Sequence, residues 1–170
     1  MAIVHMSSMG LVSTLFAVVL TITLTNAATT PLSYASPPQR QCGEVNVFLH
    51  GLPPTHPLVI QQGYDPDAVR QALVADQHTI LDAGYNYRAY LASRLRGIRW
   101  DAVGVGYGVR GSNSEILTRK LEEVISVFRQ EAKEAMIVFN RSPNTTLEAL
   151  RANVPLPGNC PKGKDLGFEV

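Results

Sequence analysis

Short apolar runs that alternate with well-punctuated helical stretches limit this chain to very few architectures. The first run, Val45 to Leu49, is β-branched and aromatic and is closed by Gly51, Pro53 and Pro54, the pattern of a strand bounded by turn residues. Tyr87–Leu91, Ala102–Tyr107 and Met136–Phe139 repeat it. Between the first two runs Asp65 offers a cap, Pro66 suits a first helical turn and Gly84 offers a stop. Val69, Leu73 and Ile80 share one face of that helix. Before the fourth run, Ser112 and Glu115 have capping-box spacing, and Leu117, Leu121, Val124, Ile125 and Phe128 form an apolar stripe. Thr145 and Glu148 repeat the capping spacing at the head of a last helix. Strands alternating with helices imply helices packed on a parallel sheet, and continuous apolar runs are what buried parallel strands require. The expected fold is a three-layer α/β domain over residues 44–154, with a short, mostly parallel four-stranded sheet. Residues 155–170 read as a Pro/Gly-rich tail. One joint is awkward: only Ala92 to Trp100 separates the second and third runs, and a parallel crossover needs about a dozen residues.

The amino terminus differs from the rest. No charged side chain precedes Arg40, and Leu11–Leu24 is an apolar run of 14 residues, short of the roughly 20 that span a bilayer. Small residues follow near Ala27, so residues 1–27 read as a secretory signal peptide. Residues 28–43 read as a Pro/Ser/Thr-rich linker. The expectation is a secreted or secretory-pathway protein with no stable membrane span after leader removal; the alternative is a membrane anchor formed by an uncleaved leader. Lys plus Arg is 15 and Asp plus Glu is 14, which argues against nucleic acid as a partner.

Cys42 and Cys160 bracket the folded region, an even count suited to an oxidising compartment. The topology brings both toward the amino-terminal edge of the sheet, so a disulfide is feasible; two unpaired thiols are the competing reading. Asn144-Thr145-Thr146 is a glycosylation sequon.

In an open parallel sheet, ligands bind beyond the carboxyl ends of the strands. Those ends carry His50, then Tyr107 to Gly111, then Asn140 to Ser142. Two capped helix starts, at Ser112 and Thr145, turn free N–H groups to the same edge and favour an anion. His50 is the candidate acid–base residue, because imidazole titrates near neutrality; the competing reading is a histidine bonded to the proline loop. Gly106, Gly108 and Gly111 spell G-x-G-x-x-G between a strand and a helix. Three readings stand: a dinucleotide site, an anion held by Arg110, and a tight turn that needs glycine. The strand after the motif ends in Asn140 rather than an acid that would hold a ribose, so no cofactor is expected. Gly106 occupies the nucleophile position of an esterase elbow, which removes that chemistry. His50, His56 and Asp65 have no ligand spacing, and no metal is expected. Arg88, Arg94, Arg96 and Arg99 concentrate basic charge, either as a solvated surface or as a docking patch for an acidic partner.

The segments WDAVGVGYGVRG and MIVFNRSPNTTLEALR resemble a family of small fungal and bacterial proteins similar to Rossmann-like or flavodoxin-like α/β folds. Trp100, Asp101, Gly106, Val109, Arg110, Gly111, Asn140, Ser142, Pro143 and Thr146 carry the resemblance. It implies a fold and no particular activity; the leader and the short link after the second run depart from the pattern. The functional expectation is a domain that binds a small anionic or polar ligand through Tyr107, Arg110, Gly111, Asn140 and Ser142, whether or not it is an enzyme. The alternatives are a non-catalytic interaction protein using the arginine-rich surface and a degenerate nucleotide-cofactor oxidoreductase.

Overall fold

The computed structural model describes residues 39–89 and 95–168. The leader, the linker up to residue 38 and Arg94 lie outside the described residues. Ten elements follow in order: β1 (Asn46–His50), α1 (Pro57–Gln61), α2 (Pro66–Asp82), β2 (Asn86–Ala89), β3 (Ala102–Val105), α3 (Tyr107–Arg110), α4 (Glu115–Glu131), β4 (Met136–Phe139), α5 (Thr146–Asn153) and β5 (Asp165–Phe168). The strands form one sheet in the order β4-β3-β1-β2-β5, with every pairing parallel. The chain is therefore α/β, and its sheet has five strands rather than the expected four.

The additional strand comes from the segment read as a tail. β5 pairs with the outer edge of β2, Tyr87 opposite Asp165 and Ala89 opposite Phe168, with an irregularity between them. Lys164 N–H donates to Asn86 Oδ1 at 2.8 Å, and Tyr87 N–H donates to the Lys164 carbonyl at 3.0 Å. The awkward joint also resolves. β2 ends at Ala89 and β3 starts at Ala102, on opposite sides of β1, so the crossover is residues 90–101, the length such a connection requires.

β1 lies at the centre of the sheet and is buried on both faces. Val47 and Leu49 join one apolar cluster with Ile80 and Leu81 of α2, Leu150 of α5, and Tyr85 and Tyr87. Phe48 points the other way, into a cluster with Trp100, Val103, Val105, and Val124 and Phe128 of α4. There Phe48 meets Trp100 and Phe128 edge-on, with ring centroids 5.4 and 6.1 Å apart. Each such side chain stabilises the fold by about 2 kcal/mol through burial.

Local signals explain the long helices. Asp65 Oδ1 accepts from the Asp67 N–H at 3.0 Å with Pro66 at the first position, and Gly84, at φ +93°, ends α2. α4 begins two residues later than a Ser112 cap would place it. Its cap is Ser114, and Ser112 Oγ instead accepts from the Ser114 N–H at 3.1 Å, a turn just outside the helix.

Cys42 and Cys160 are joined by a disulfide, with Cα atoms 5.3 Å apart and a sequence separation of 118. The bridge sits beside Gly84 at the end of α2, where any Cβ would collide with that of Cys160. Gly163 is under a similar constraint. A Cβ there would run into the Tyr85 carbonyl, and the Gly163 N–H donates to the Leu81 carbonyl at 2.7 Å. Gly163→Ala should therefore lose about 2–4 kcal/mol, because the obstruction is backbone and β5 must shift away from β2. Denaturant unfolding, with amide exchange of Tyr87 as the local readout, checks this.

Candidate functional site

A cavity of about 90 Å³ opens at the carboxyl ends of β1, β3 and β4, the edge where an open parallel sheet places ligands. Leu49, Gly51 and Leu52 form its floor from β1 outward, Val59 and Gln62 come from α1 and its cap, and Tyr64 closes the approach to α2. Val69 and Leu73 of α2 make one wall, and Gly106 to Val109 make another. Asn140 and Pro143, just past β4, complete it. The walls are mostly hydrocarbon, and Tyr64 and Tyr107 stand at 46% and 37% exposure beside the opening. An apolar cavity of about 150 Å³ accommodates benzene, so this one suits a smaller group.

Two of the five expected ligand residues, Tyr107 and Asn140, line the cavity. Arg110 does not. Its guanidinium lies over the rings of Tyr107 and Phe139, 5.5 and 5.4 Å from their centroids, and donates to the backbone carbonyl of Asn140. It braces the strand end from outside the pocket. Gly111 closes α3, where a Cβ would press into the Tyr107 ring at 2.6 Å. Ser142 Oγ donates to Asn144 Oδ1 at 2.7 Å within the β4–α5 loop. Removing Arg110 is thus expected to weaken folding more than binding. Arg110→Ala should cost about 1–3 kcal/mol in thermal or denaturant unfolding, since a charged donor and two stacked rings lose their partner.

The G-x-G-x-x-G segment does not cradle a phosphate in this geometry. Residues 107–110 make one short helix, and the N–H groups of Val109, Arg110 and Gly111 bond to the carbonyls of Gly106 and Tyr107. Gly104, two residues before the motif, is needed for packing: a Cβ there would sit 2.9 Å from Leu49 Cδ1 and 3.0 Å from the Val138 carbonyl. Of the three glycines of the motif, Gly111 is held by a close approach, whereas a Cβ at Gly108 would meet nothing within 4 Å. His50 is 1% exposed and does not line this cavity. His56 caps α1, its Nδ1 accepting from the Leu58 N–H at 3.2 Å. Among the described residues no group of His, Cys, Asp or Glu could hold a metal ion. The arginines are dispersed as well. Arg88 stacks 5.8 Å from the Trp100 ring and donates to the Leu166 carbonyl. Arg99 lies 3.7 Å from the Asp101 carboxylate, and Arg96 lies 3.6 Å from that of Glu131.

The most consequential polar residue was not among the expected ones. Asp76 lies on the inner face of α2, one turn beyond Leu73, and is 2% exposed. Burial pushes its carboxyl up to about 6, against a smaller opposing pull from the hydroxyl and amide of Thr146. Neither carboxylate oxygen meets full hydrogen-bonding geometry with a partner among the described residues, so the pull from Thr146 offsets only part of the burial. Thr146 is the first residue of α5. The free N–H end of that helix, which the capping spacing offered to an outside anion, therefore already faces a carboxylate of the protein itself. The capping box at Thr145 does not form either. Thr145 Oγ1 accepts from the Arg141 and Ser142 N–H groups at 2.8 and 3.0 Å, and Glu148 pairs outward with Arg141.

Thr146 links Asp76 to the cavity. It is 1% exposed, and its Oγ1 accepts from Asn140 Nδ2 at 3.2 Å. Asn140 is 3% exposed, lines the cavity, and has no partner for Oδ1. One signal for Asp76 was present in the sequence: it interrupts the Val69–Leu73–Ile80 stripe at a position that must face inward. Because its folded value exceeds the usual carboxylate value, the folded state binds the extra proton as pH falls from about 6 toward 4. Stability should rise over that window, and the cost of the buried charge is fully present above it. Asp76→Asn should remove this contribution to the slope and stabilise the protein near neutrality, by up to about 3 kcal/mol. Urea unfolding at several pH values compares the two.

Comparison with known proteins returns no matching family model, no matching curated protein and no matching solved structure.

Proposed function

We propose that this chain is a small-ligand-binding domain of three-layer, Rossmann-like form that takes a compact, uncharged polar molecule at the carboxyl edge of its sheet. The observation that carries the reading is the cavity itself, apolar on most sides and bordered by Asn140 just past the end of β4. The expected choice between an anionic and a polar ligand falls on the polar one. Arg110 is occupied by the Asn140 carbonyl and two rings, while Asp76 lies behind the wall and disfavours a second negative charge.

Binding rather than catalysis follows from the lining. Its ionisable side chains are Tyr64 and Tyr107, and neither His50 nor Asp76 lies on the wall. The setting we propose is the secretory pathway. The disulfide suits an oxidising compartment, and no described helix is long and apolar enough to cross a membrane. Asn144, exposed in the loop beside Pro143, would carry a glycan near the opening. The likeness to the fungal and bacterial α/β family belongs to the same proposal.

Gly108 provides the test, because it lines the cavity and a Cβ built there meets nothing within 4 Å. Gly108→Leu should remain folded and lose saturable binding of isobutanol and pyrrole by tenfold or more. Amide chemical-shift titration reads it, with residues 106–109 and Asn140 responding in the wild type. Equal binding by the folded variant, or responses confined to another surface, would overturn the reading.

A further inference from the structure

We propose that the free edge of β4 is a docking surface for a second copy of this chain, paired antiparallel about a two-fold axis through Val138. β4 is the outermost strand on its side of the sheet, with β3 as its one neighbour among the described residues. Its residues are Met136, Ile137, Val138 and Phe139, with no charge, proline or glycine to blunt the edge. Met136 and Phe139 are 45% and 46% exposed there. The opposite edge is built differently: β5 carries Asp165, an irregular register and Gly167 at φ +121°. Native sheets use charges and bulges of that kind to prevent edge pairing. β4 has neither.

The backbone sets the register. In a parallel ladder, alternate residues turn both N–H and C=O toward the same neighbour. Met136 N–H donates to the Asp101 carbonyl at 2.9 Å, so Met136 and Val138 face β3 while Ile137 and Phe139 turn their groups outward. Centred on Val138, a two-fold axis normal to the sheet sets Ile137 opposite Phe139 of the second copy, and Phe139 opposite its Ile137. Each pair exchanges both hydrogen bonds, and every outward group of the strand is used. Centred on Ile137 instead, the pairing needs the Ala135 N–H, which already donates to the Ala132 carbonyl at 2.9 Å. Centred on Phe139, it needs the Arg141 N–H, which donates to Thr145 Oγ1 at 2.8 Å.

Side chains and charge agree with this register. Ile137 packs on the α4 side of the sheet, and Phe139 shares its face by alternation. The two residues from both copies form one apolar strip, each Phe139 ring held by an Arg110 guanidinium 5.4 Å away. On the other face Met136 comes opposite Asn140 of the second copy. Lys133 and Glu134, just before β4, are exposed and have no ion-pair partner among the described residues. The antiparallel arrangement brings them beside Arg141 of the second copy and the Glu148 that pairs with it at 2.7 Å. Positive and negative charges are thus balanced at each junction, and the unpaired Glu134 gains a cation.

Sedimentation of the intact protein from about 1 µM to 1 mM, the range of a small interface, should show a reversible monomer–dimer equilibrium. Met136→Lys puts a charge at an exposed position and leaves Arg110 its rings. It should weaken the dimer tenfold or more with an unchanged urea midpoint. Amide hydrogen exchange reads the register without a variant. Ile137 and Phe139 should exchange more slowly as protein concentration rises, while Met136 and Val138 stay protected throughout. In a mixture of isotope-labelled and unlabelled chains, NOEs should join the Ile137 and Phe139 amides of different copies. A protein still monomeric at about 1 mM overturns the proposal, as does a dimer in which exchange at Ile137 and Phe139 ignores concentration. Protection of those amides in a monomer by a co-purifying peptide or other protein assigns the edge a different occupant and equally overturns it.

Discussion

A carboxylate set where a helix begins is the contact on which the site depends. Thr146, the first residue of α5, is buried, and its amide needs an acceptor that water does not supply there. Asp76, from α2, stands in that place, and the rise of its carboxyl to about 6 shows that burial costs it more than Thr146 returns. The contact has a positional consequence. Thr146 is held against α2, Asn140 is held against Thr146, and the end of β4 is thereby fixed next to the ends of β1 and β3. A leucine at residue 76 would pack more comfortably and would leave the Thr146 hydroxyl without a partner on that side. The end of β4 that borders the cavity is held, through Asn140 and Thr146, beside this one charged intrusion into an apolar helix face.

The glycine-rich segment shows how the same residues serve a different end. A phosphate loop needs amides that point outward and stay unbonded. Between Gly106 and Gly111 the chain closes a helical turn, and its amides bond to its own carbonyls. Glycine matters here for what it omits. Without a Cβ at residue 104 the Leu49 side chain and the β4 backbone can approach, and without one at residue 111 the Tyr107 ring lies flat against the chain. Arg110 then rests between Tyr107 and Phe139, the partner of a backbone carbonyl. Charge type and nearness to the sheet edge pointed to an anion; the direction of the side chain, which sequence does not encode locally, made it a brace.

Where local physics decides, the residues were readable. β1, β4, α2 and the body of α4 announce themselves through continuous apolar runs, a capped proline and a 3.6-residue stripe. Asn140 was placed at the site by the rule that ligands sit beyond strand ends, and it does line the cavity. The misses share a cause. β5 contains two prominent apolar residues, Leu166 and Phe168, among glycine and charge; it is a strand because β2 offers it an open edge. Ser112 and Thr145 have the letters of capping boxes, yet each bonds within the preceding turn, a choice between near-equal local alternatives that the surrounding fold decides. Asp76 was legible as a polar residue in an apolar stripe, but its partner lies 70 residues away, in a helix whose position only the tertiary fold supplies.

The two ends of the sheet divide the labour. At the amino end the disulfide, the Asn86 side chain bonded to Gly43 and the Asp101 carboxylate bonded to the Asn46 amide tie the strand starts together. Gly84 and Gly163 let the chain pass against this cluster with no room to spare. At the carboxyl end Gly51 and Gly108 border open space, and two tyrosines stand partly in solvent. α2 joins these regions: its last turn abuts the covalent staple, its middle carries Asp76, and its first turns wall the cavity. A helix clamped at one end and charged in its core holds its other end in place without needing rigid loops there. That lets the loops around the opening remain short on polar constraint and still form a defined wall, which is what a site that selects by shape and one hydrogen bond requires.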